Sequence, residues 1–283
     1  MTNFKELLIK TKQDIDNVFK HSFLPNNNSL EKTSEAMNYI INLGDGGKRI
    51  RPAIVMTIVD VFNGDKKTGQ IFAEAVELIH SYTLIIDDIQ DDGKTRRGEA
   101  TCHIKYDTNT AILAATRLFE RGAAPFHNYC PYKFQILNDQ LHQGQAADLN
   151  TKDWSKDQLT LQDLQFIHAG KTSSLIQMSI LGGCVASGLN DEHTEKLLRY
   201  GYYLGLAFQA KDDILSRVSK IEETGKSSME NKTSFTHFFE DPAAALNAAK
   251  ELARKAKTEL SYFSKNNIGI LEEITDFAVL RNK

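Results

Sequence analysis

The chain has 283 residues, of which 41% are hydrophobic and 25% are charged, and this composition is typical of a globular protein with a substantial core. Its 34 lysine and arginine residues nearly balance 37 aspartate and glutamate residues, which argues against a nucleic-acid partner and against an anionic membrane surface. The three cysteines are far apart and form no C-x-x-C pair, which argues against a disulfide scaffold and against a zinc site.

The beginning of the chain carries many charged residues. Residues 1–20 hold several lysine, aspartate and glutamate side chains, too many for the apolar core of a signal peptide. No apolar run in the sequence reaches the roughly 18 residues that a membrane-spanning helix needs. We therefore expect a soluble cytoplasmic protein without a membrane span.

Helical spacing of apolar residues runs through almost the whole sequence. It predicts helices over residues 4–20, 37–43, 53–59, 70–91, 110–120, 134–147, 159–189, 200–216, 243–263 and 268–281. Strand signatures, which would show as sustained alternation between turn dipeptides, are not found. The sequence therefore predicts a single all-α domain over residues 1–283.

Three interruptions of the helical pattern are predicted from individual residues. Ser29 or Ser34 is expected to cap the second helix. Two prolines over residues 123–131 predict a connection between helices there. The helix that starts at 134 is expected to end or kink within 143–148, which contains a glycine.

A glycine-rich loop, Gly-Asp-Gly-Gly over residues 44–47, precedes the third helix. Glycines let the backbone approach a ligand closely, and the cations Lys48, Arg49 and Arg51 follow at once. Pro52 suits the first turn of the helix, whose N-terminus would form an anion site with Lys48 and Arg51. The alternative is an ordinary helix end followed by solvated basic residues.

The fourth predicted helix ends in a cluster of aspartates. Asp87 and Asp91 are four residues apart and share a helix face, so their mutual repulsion favours a cation between them. Paired carboxylates suit Mg²⁺, which fills its other positions with water and phosphate oxygens. Arg96 and Arg97 follow with forked donors that match phosphate geometry. The pattern indicates a diphosphate held through Mg²⁺; the alternative is a solvated acidic helix end.

The helix face that carries Asp87 also carries Thr83, His80 and Val76, at helical offsets of four, seven and eleven residues. This face is polar near the aspartates and small below them. Such a face is typical of the wall of a deep cavity.

A second apolar helix, over 200–216, also leads into paired aspartates, Asp212 and Asp213. The face of Asp212 carries two glycines, which leaves open volume beneath the charge. Lys226 and Lys232 follow in a polar stretch and are expected near the same site.

Five motifs stand in a recognisable order: Gly-Gly-Lys-Arg-Ile-Arg-Pro at 46–52, Asp-Asp-Ile-Gln-Asp at 87–91 with Arg96-Arg97-Gly98, Gly144-Gln145 with Asp148, Lys171-Thr172, and Phe208-Gln209-Ala210-Lys211-Asp212-Asp213. In these motifs, from about residue 40 to 235, the chain resembles the trans-isoprenyl (polyprenyl) diphosphate synthases. The uninterrupted first aspartate motif is most similar to the short-chain geranylgeranyl and farnesyl types. The resemblance implies a bundle of helices around a central cavity and a homodimer.

The resemblance also implies a reaction and the residues that carry it. The reaction is a head-to-tail condensation of isopentenyl diphosphate with an allylic diphosphate, namely dimethylallyl, geranyl or farnesyl diphosphate, in which Mg²⁺ stabilises the departing diphosphate. Implied catalytic residues are Asp87, Asp88, Asp91, Asp212, Lys171 and Arg96, with Mg²⁺ on Asp87, Asp91 and Asp212. Implied allylic-site residues are Arg96, Lys171, Thr172, Gln209, Lys226 and Lys232, and implied isopentenyl-site residues are Lys48, Arg51, His80 and Arg97.

Product length is expected to follow the depth of the cavity below Asp87. The resemblance assigns the cavity floor to the residues four and five positions before Asp87, which are Thr83 and Tyr82. The bulk of Tyr82 indicates a short product, C15 or C20. The alternative for Tyr82 is an ordinary core aromatic.

Three departures from the family pattern stand out. Ser216 occupies the position of the usual third aspartate of the second motif, so Asp212 is expected to bind metal and Asp213 to support it. The spacing from Lys226 to Lys232 is shorter than usual, and Ala114-Ala115-Thr116 replaces a usual Gly-Asp in a region that contributes to the dimer contact.

Two other functions are compatible with these departures: a non-catalytic subunit of a heteromeric synthase, and a class I terpene cyclase. Neither needs an isopentenyl diphosphate site. Lys48, Arg51 and Arg97 would form such a site, so they favour the synthase.

Overall fold

A computed structural model gives the fold and describes residues 3–20, 22–23, 28–154, 158–224, 234–239, 241–263 and 268–281. Nearly all of these residues are helical, which confirms the predicted all-α class. They divide into two compact units, Met1–Pro131 with Gly182–Gly188 and Tyr132–Leu181 with Leu189–Lys283. In the part of the chain described, no helix combines the length and the apolar character needed to cross a membrane.

The first unit contains the helices α1 (Phe4–Phe19), α2 (Glu31–Asn42), α3 (Ile50–Val61), α4 (Lys66–Gln90), α5 (Cys102–Lys105) and α6 (Thr108–Tyr129). Helix α4 is capped by Asp65, whose carboxylate accepts a hydrogen bond from the backbone N–H of Thr68 at 2.8 Å. It packs on α3 and α6 with a fully buried stripe that includes Phe72, Val76 and Ile79. This packing fixes the orientation of α4 in the first unit and so the position of its acidic C-terminal end.

The second unit is built mainly from α7 (Pro131–Thr151), α8 (Leu161–His168), α9 (Ser174–Ala186), α10 (Asp191–Thr224), α11 (Pro242–Leu260) and α12 (Gly269–Leu280). Helix α10 packs on α11 through small side chains, with Ala207 and Ala210 against Ala245 and Ala249. A π-helical turn, Ala169–Ser173, joins α8 to α9. π-helical turns occur often at functional sites, and this one contains Lys171 and Thr172.

Helices α6 and α7 differ from the predicted pattern. Helix α6 runs through Pro125 to Tyr129, so the connection predicted over 123–131 falls within that range but consists of Cys130 alone. A proline inside a helix removes one backbone hydrogen bond, and tertiary packing of the helix can override that loss. Helix α7 also does not end within 143–148, because Gly144 serves a close crossing: a Cβ there would lie 2.5 Å from the Cα of Gly170.

Two local features were not predicted. Neither serine caps α2, which follows a 3₁₀ turn (Asn28–Leu30) and has no side-chain hydrogen bond at its N-cap. Two short antiparallel strands, Thr95–Arg96 and Glu99–Ala100, pair after α4. The two residues between them, Arg97 and Gly98, have φ angles of 53° and 81°, as a tight two-residue hairpin requires. Strands this short leave no alternating pattern in the sequence.

Candidate active site

The C-terminal end of α4 carries the aspartates of the first motif. Helix α4 ends at Gln90, and the backbone N–H of Asp91 donates to the backbone oxygen of Asp87 at 2.9 Å. Asp87 is partly exposed and Asp91 is exposed, one helical turn apart. Asp88 is buried, with 4% of its surface exposed. Asp87 and Asp91, the two α4 positions predicted to bind Mg²⁺, are thus accessible to solvent, whereas Asp88 points into the protein interior.

Asp88 holds Arg96. The Nε atom of Arg96 donates to both carboxylate oxygens of Asp88, at 2.9 and 2.8 Å, and its Nη2 donates to Oδ2 of Asp87 at 3.2 Å. Burial alone would lower the pKa of Arg96, but the hydrogen bonds and negative charges of Asp88 and Asp87 raise it above its usual value. Asp88 therefore orients a permanently charged guanidinium beside Asp87.

The glycine-rich loop closes around an arginine of the protein itself. Gly44 and Gly47 have left-handed φ angles of 57° and 75°. A Cβ at Gly44 would lie 2.6 Å from the Cβ of Arg97, and a Cβ at Gly47 would lie 2.6 Å from Nη2 of Arg97. Nη1 of Arg97 also donates to the backbone oxygen of Leu43 at 2.8 Å. These glycines therefore make room for Arg97, whereas the sequence had suggested that they make room for a ligand.

His80 lies among positive charges. Nη1 of Arg51, in the first turn of α3, is 3.4 Å from Nε2 of His80 on α4. Burial lowers the pKa of His80 well below its usual value. The charges of four guanidinium groups lower this pKa further, and they belong to Arg51, Arg97, Arg96 and Arg49. Lys48 is exposed in the loop just before α3. This concentration of positive charge is the electrostatic environment that a diphosphate requires.

We expect the His80→Gln variant to show a weaker loss of stability in acid than the wild type. Because the pKa of His80 is lowered in the folded chain, the unfolded chain takes up this proton first as the pH falls below about 6.5. The wild-type free energy of unfolding should then fall more steeply, by up to about 1.4 kcal/mol per pH unit. Urea unfolding at pH 7 and pH 5 gives the free energy of unfolding of both proteins. If this free energy depends on pH identically in the two, the pKa of His80 is not lowered by folding.

Tyr82 and Thr83, predicted to form the cavity floor, lie on α4 about one turn before Asp87. Thr83 donates its hydroxyl to the backbone oxygen of His80 at 2.8 Å. The ring of Tyr82 packs against the ring of Phe119 on α6, with 5.0 Å between centroids. Both rings are partly buried. Phe119 was missed by sequence reasoning because it lies beside the atypical Ala114-Ala115-Thr116 segment, where no family motif guided the interpretation.

In the second unit the π-helical turn presents Lys171 and Thr172. Nζ of Lys171 forms an ion pair with Oδ2 of Asp148 on α7. The hydroxyl of Thr172 donates to Oε1 of Gln209 on α10 at 2.8 Å. Nε2 of Gln209 donates in turn to Oδ1 of Asp213 at 3.0 Å. The second unit thus brings together residues of three separate motifs.

Asp213 has a supporting position. Its Oδ2 accepts the backbone N–H of Phe235 at 2.6 Å and lies 3.5 Å from Nε2 of His168. Burial raises the pKa of Asp213 to about 6, against the lowering effect of its hydrogen bonds with Phe235 and Gln209. Burial also lowers the pKa of His168 to about 3, helped by the charge of Lys171. Asp213 is therefore part of the hydrogen-bonded frame of this cluster.

Asp212, the predicted metal ligand of the second motif, pairs with an arginine near the end of the chain. Nη2 of Arg281 donates to Oδ1 of Asp212 at 2.6 Å and to the backbone oxygen of Phe208 at 3.0 Å. The guanidinium carbon of Arg281 lies 3.7 Å from the centroid of the Phe208 ring. Ser216, one turn beyond Asp212, is exposed. No local pattern in the sequence links Arg281 to a residue 69 positions away. Lys226 and Lys232 lie outside the described residues.

The fit of Mg²⁺ can be judged from the donor set. Within the described residues, no group of three or more histidine, cysteine or acidic side chains is arranged to hold a metal ion. Mg²⁺ does not require such a cage, because it binds through one or two carboxylates and takes its remaining ligands from water and substrate phosphates. Asp87 and Asp91, with hard oxygen atoms at an accessible helix end, fit that kind of site.

Comparisons with known proteins point to one family. The sequence matches the polyprenyl synthetase family over residues 31–261. It is 33% identical over 260 residues to a geranylgeranyl diphosphate synthase of Cyanophora paradoxa, covering 85% of each chain. It is 36% identical over 205 residues to a farnesyl diphosphate synthase of Micrococcus luteus, covering 68% of this chain and 69% of that one. The fold is similar to a crystal structure of a FPP/GFPP synthase from Zymomonas mobilis, with a TM-score of 0.80, 25% identity and coverage of 98% and 99%.

Proposed function

The chain belongs to the polyprenyl synthetase family, so it is a prenyltransferase, and we propose that it condenses isopentenyl diphosphate head-to-tail with an allylic diphosphate. The resemblance inferred from the five motifs is thereby confirmed. One observation supports the proposal above others. His80 on α4 lies among the guanidinium groups of neighbouring arginines, and about two turns further on α4 carries the accessible aspartates. A reaction between two diphosphates needs both an anion site and a metal site.

The group around His80 is proposed to bind isopentenyl diphosphate. Arg51 and Arg97 present guanidinium forks, and Lys48 adds an exposed ammonium group at the same loop. This group also separates the proposal from its alternatives. A non-catalytic subunit and a terpene cyclase have no use for a second diphosphate site, whereas a condensing enzyme requires one.

The first aspartate cluster is proposed to act on the allylic diphosphate. Asp87 and Asp91 would hold Mg²⁺, which when bound stabilises the charge that develops on the departing diphosphate. Arg96, held by Asp88, would bind phosphate oxygens beside Asp87. In the second unit, Asp212 is proposed as a further Mg²⁺ ligand. Lys171, Thr172 and Gln209, ordered by their contacts with Asp148 and with one another, are proposed to bind diphosphate oxygens there. No protein nucleophile is needed, because the reaction depends on positioning and electrostatics.

The proposed product is a short-chain prenyl diphosphate, C15 to C20, and the relatives named geranylgeranyl and farnesyl diphosphate synthase support this range. We also propose that the protein is a homodimer. Helix α6 exposes Ile112, Leu113 and Tyr129, with 43%, 57% and 59% of their surfaces accessible, and a second copy would cover such side chains.

Incubation of the purified chain with isopentenyl diphosphate and each of dimethylallyl, geranyl and farnesyl diphosphate tests the function. We expect Mg²⁺-dependent elongation with at least one starter and products of C15 to C20, separated by chromatography and identified by mass spectrometry. Parallel samples with EDTA measure the metal requirement. Absence of elongation with every starter would support the non-catalytic subunit, and cyclic hydrocarbons from the longer starters would support the cyclase.

A further inference from the structure

We infer that Arg49 is a positioning residue for the isopentenyl diphosphate site, an inference that rests on the function proposed above. Arg49 stands between Lys48 and Arg51, but its side chain turns into the protein and only 1% of it is exposed. It does not belong to the surface that would meet a diphosphate. Its task is to hold the loop and α4 so that Lys48, Arg51 and His80 converge.

The guanidinium of Arg49 joins three helices. Nη1 donates to Oε1 of Glu77 on α4 at 2.7 Å, and Nε donates to Oδ1 of Asp16 on α1 at 2.9 Å. Nη2 donates to the backbone oxygen of Ile41 in the last turn of α2 at 2.9 Å. Glu77 is itself only 4% exposed. All three nitrogen atoms of Arg49 are thus engaged by groups inside the first unit.

The backbone of the loop is built around this side chain. Arg49 is the N-cap of α3 and has left-handed angles, φ 52° and ψ 37°, which a residue with a Cβ rarely adopts. A Cβ at Gly46 would collide with Nη2 of Arg49. The buried contacts of the guanidinium therefore hold a strained turn. That turn sends Arg49 inward while Lys48 stays exposed and Arg51 starts α3.

Two side-chain pairs fix α3 against α4. Arg49 contacts Glu77, and two residues later Arg51 contacts His80, which is three residues after Glu77 and so on the same face of α4. A shift of the first pair would move the second, because both arginines are carried by one short segment. The geometry of the anion site thus depends on a contact buried beneath it.

Stability alone does not account for this pair. Burying an ion pair costs desolvation energy, and well-packed apolar residues of similar volume often stabilise a fold as well. The pair differs from such residues because it fixes the orientation of the Arg49 side chain: a planar guanidinium with three partners accepts only one orientation. This difference gives the inference a test that separates positioning from stability.

The test compares Arg49→Met with the double variant Arg49→Met/Glu77→Met in the full chain. The single change leaves the Glu77 carboxylate buried without its partner, so Tm should fall; the second change removes that carboxylate, so Tm should recover. In both variants we expect KM for isopentenyl diphosphate to rise at least about tenfold, because misplaced side chains bind this substrate less tightly.

KM for the allylic substrate should stay within about twofold of wild type. Calorimetric titration with isopentenyl diphosphate alone should show the same weakening.

Two further variants control for other causes. Lys257→Gln removes an ion pair of similar length, 2.7 Å to Asp276 in the second unit, without touching the loop or Arg49, and it should leave both KM values unchanged. Glu77→Gln keeps the shape of the pair and reduces its charge, so it should raise KM for isopentenyl diphosphate less than Arg49→Met does. This variant carries the test if Arg49→Met does not fold.

The inference is overturned if the double variant regains wild-type KM together with wild-type Tm, or if both substrates lose affinity equally. A failure of the proposed function would look different, because the wild-type chain itself would then neither bind isopentenyl diphosphate nor elongate any starter.

Discussion

Replacement of Asp87 by asparagine is expected to lower kcat for condensation by about 100- to 1,000-fold, the range seen when one group that stabilises developing charge is removed. Asp87 combines accessibility with a guanidinium contact, since Nη2 of Arg96 donates to it at 3.2 Å. The amide keeps the size of the side chain and removes the negative charge that would hold Mg²⁺. Loss of that charge should also shift the dependence of rate on Mg²⁺ to higher concentration.

The matched control is Asp92→Asn, which removes the same charge from an exposed position of the same cluster. Asp92 has a left-handed φ of 50°, a conformation that asparagine tolerates, and it is assigned no role. Initial rates at saturating substrates, measured over a series of Mg²⁺ concentrations, compare the three proteins. Equal losses in both variants would mean that the net charge of the helix end matters and that Asp87 is not a ligand.

The elements of the fold that carry local patterns were predictable. Helix α4 has a cap at Asp65 and an apolar stripe, and its acidic end is visible as a repeat at helical spacing. Helix α6 was predicted too short because Pro125 interrupts the local pattern, while burial of residues on both sides of it, Ala123 and Phe126, holds the helix together. Local helix propensity therefore predicted the wrong end of α6, because tertiary packing determines where this helix ends.

Within the candidate site, the residues proposed to bind substrate were named from motif and charge, and the residues that orient them were not. The sequence shows Arg49 only as one of three neighbouring cations, and nothing in it says which of them turns inward. Glu77 left a weak signal, since it is an acidic residue in an otherwise apolar stretch of α4. Arg281 left none, because its contact with Asp212 depends on how α10 and the segment after α12 meet. Supporting contacts depend on tertiary structure, which local spacing does not encode.

Tyr82→Ala is expected to lengthen the product by at least one five-carbon unit. The ring of Tyr82 is only partly buried and packs on Phe119 with 5.0 Å between centroids, so its removal opens space between α4 and α6 just before Asp87. The growing chain can occupy that space, and elongation should continue until it meets the next obstacle. Phe119→Ala should lengthen the product in the same direction, because it removes the other half of the aromatic pair.

Tyr82→Phe is the matched control for this prediction, since it keeps the ring and removes only the hydroxyl group. Its product distribution, determined by mass spectrometry with farnesyl diphosphate as the starter, should equal that of the wild type. If Tyr82→Ala instead lowers Tm and leaves product length unchanged, Tyr82 is an ordinary packing residue. A ring used only for packing contributes to stability, whereas a ring at the end of a cavity also limits how far the product can extend, and product length distinguishes the two.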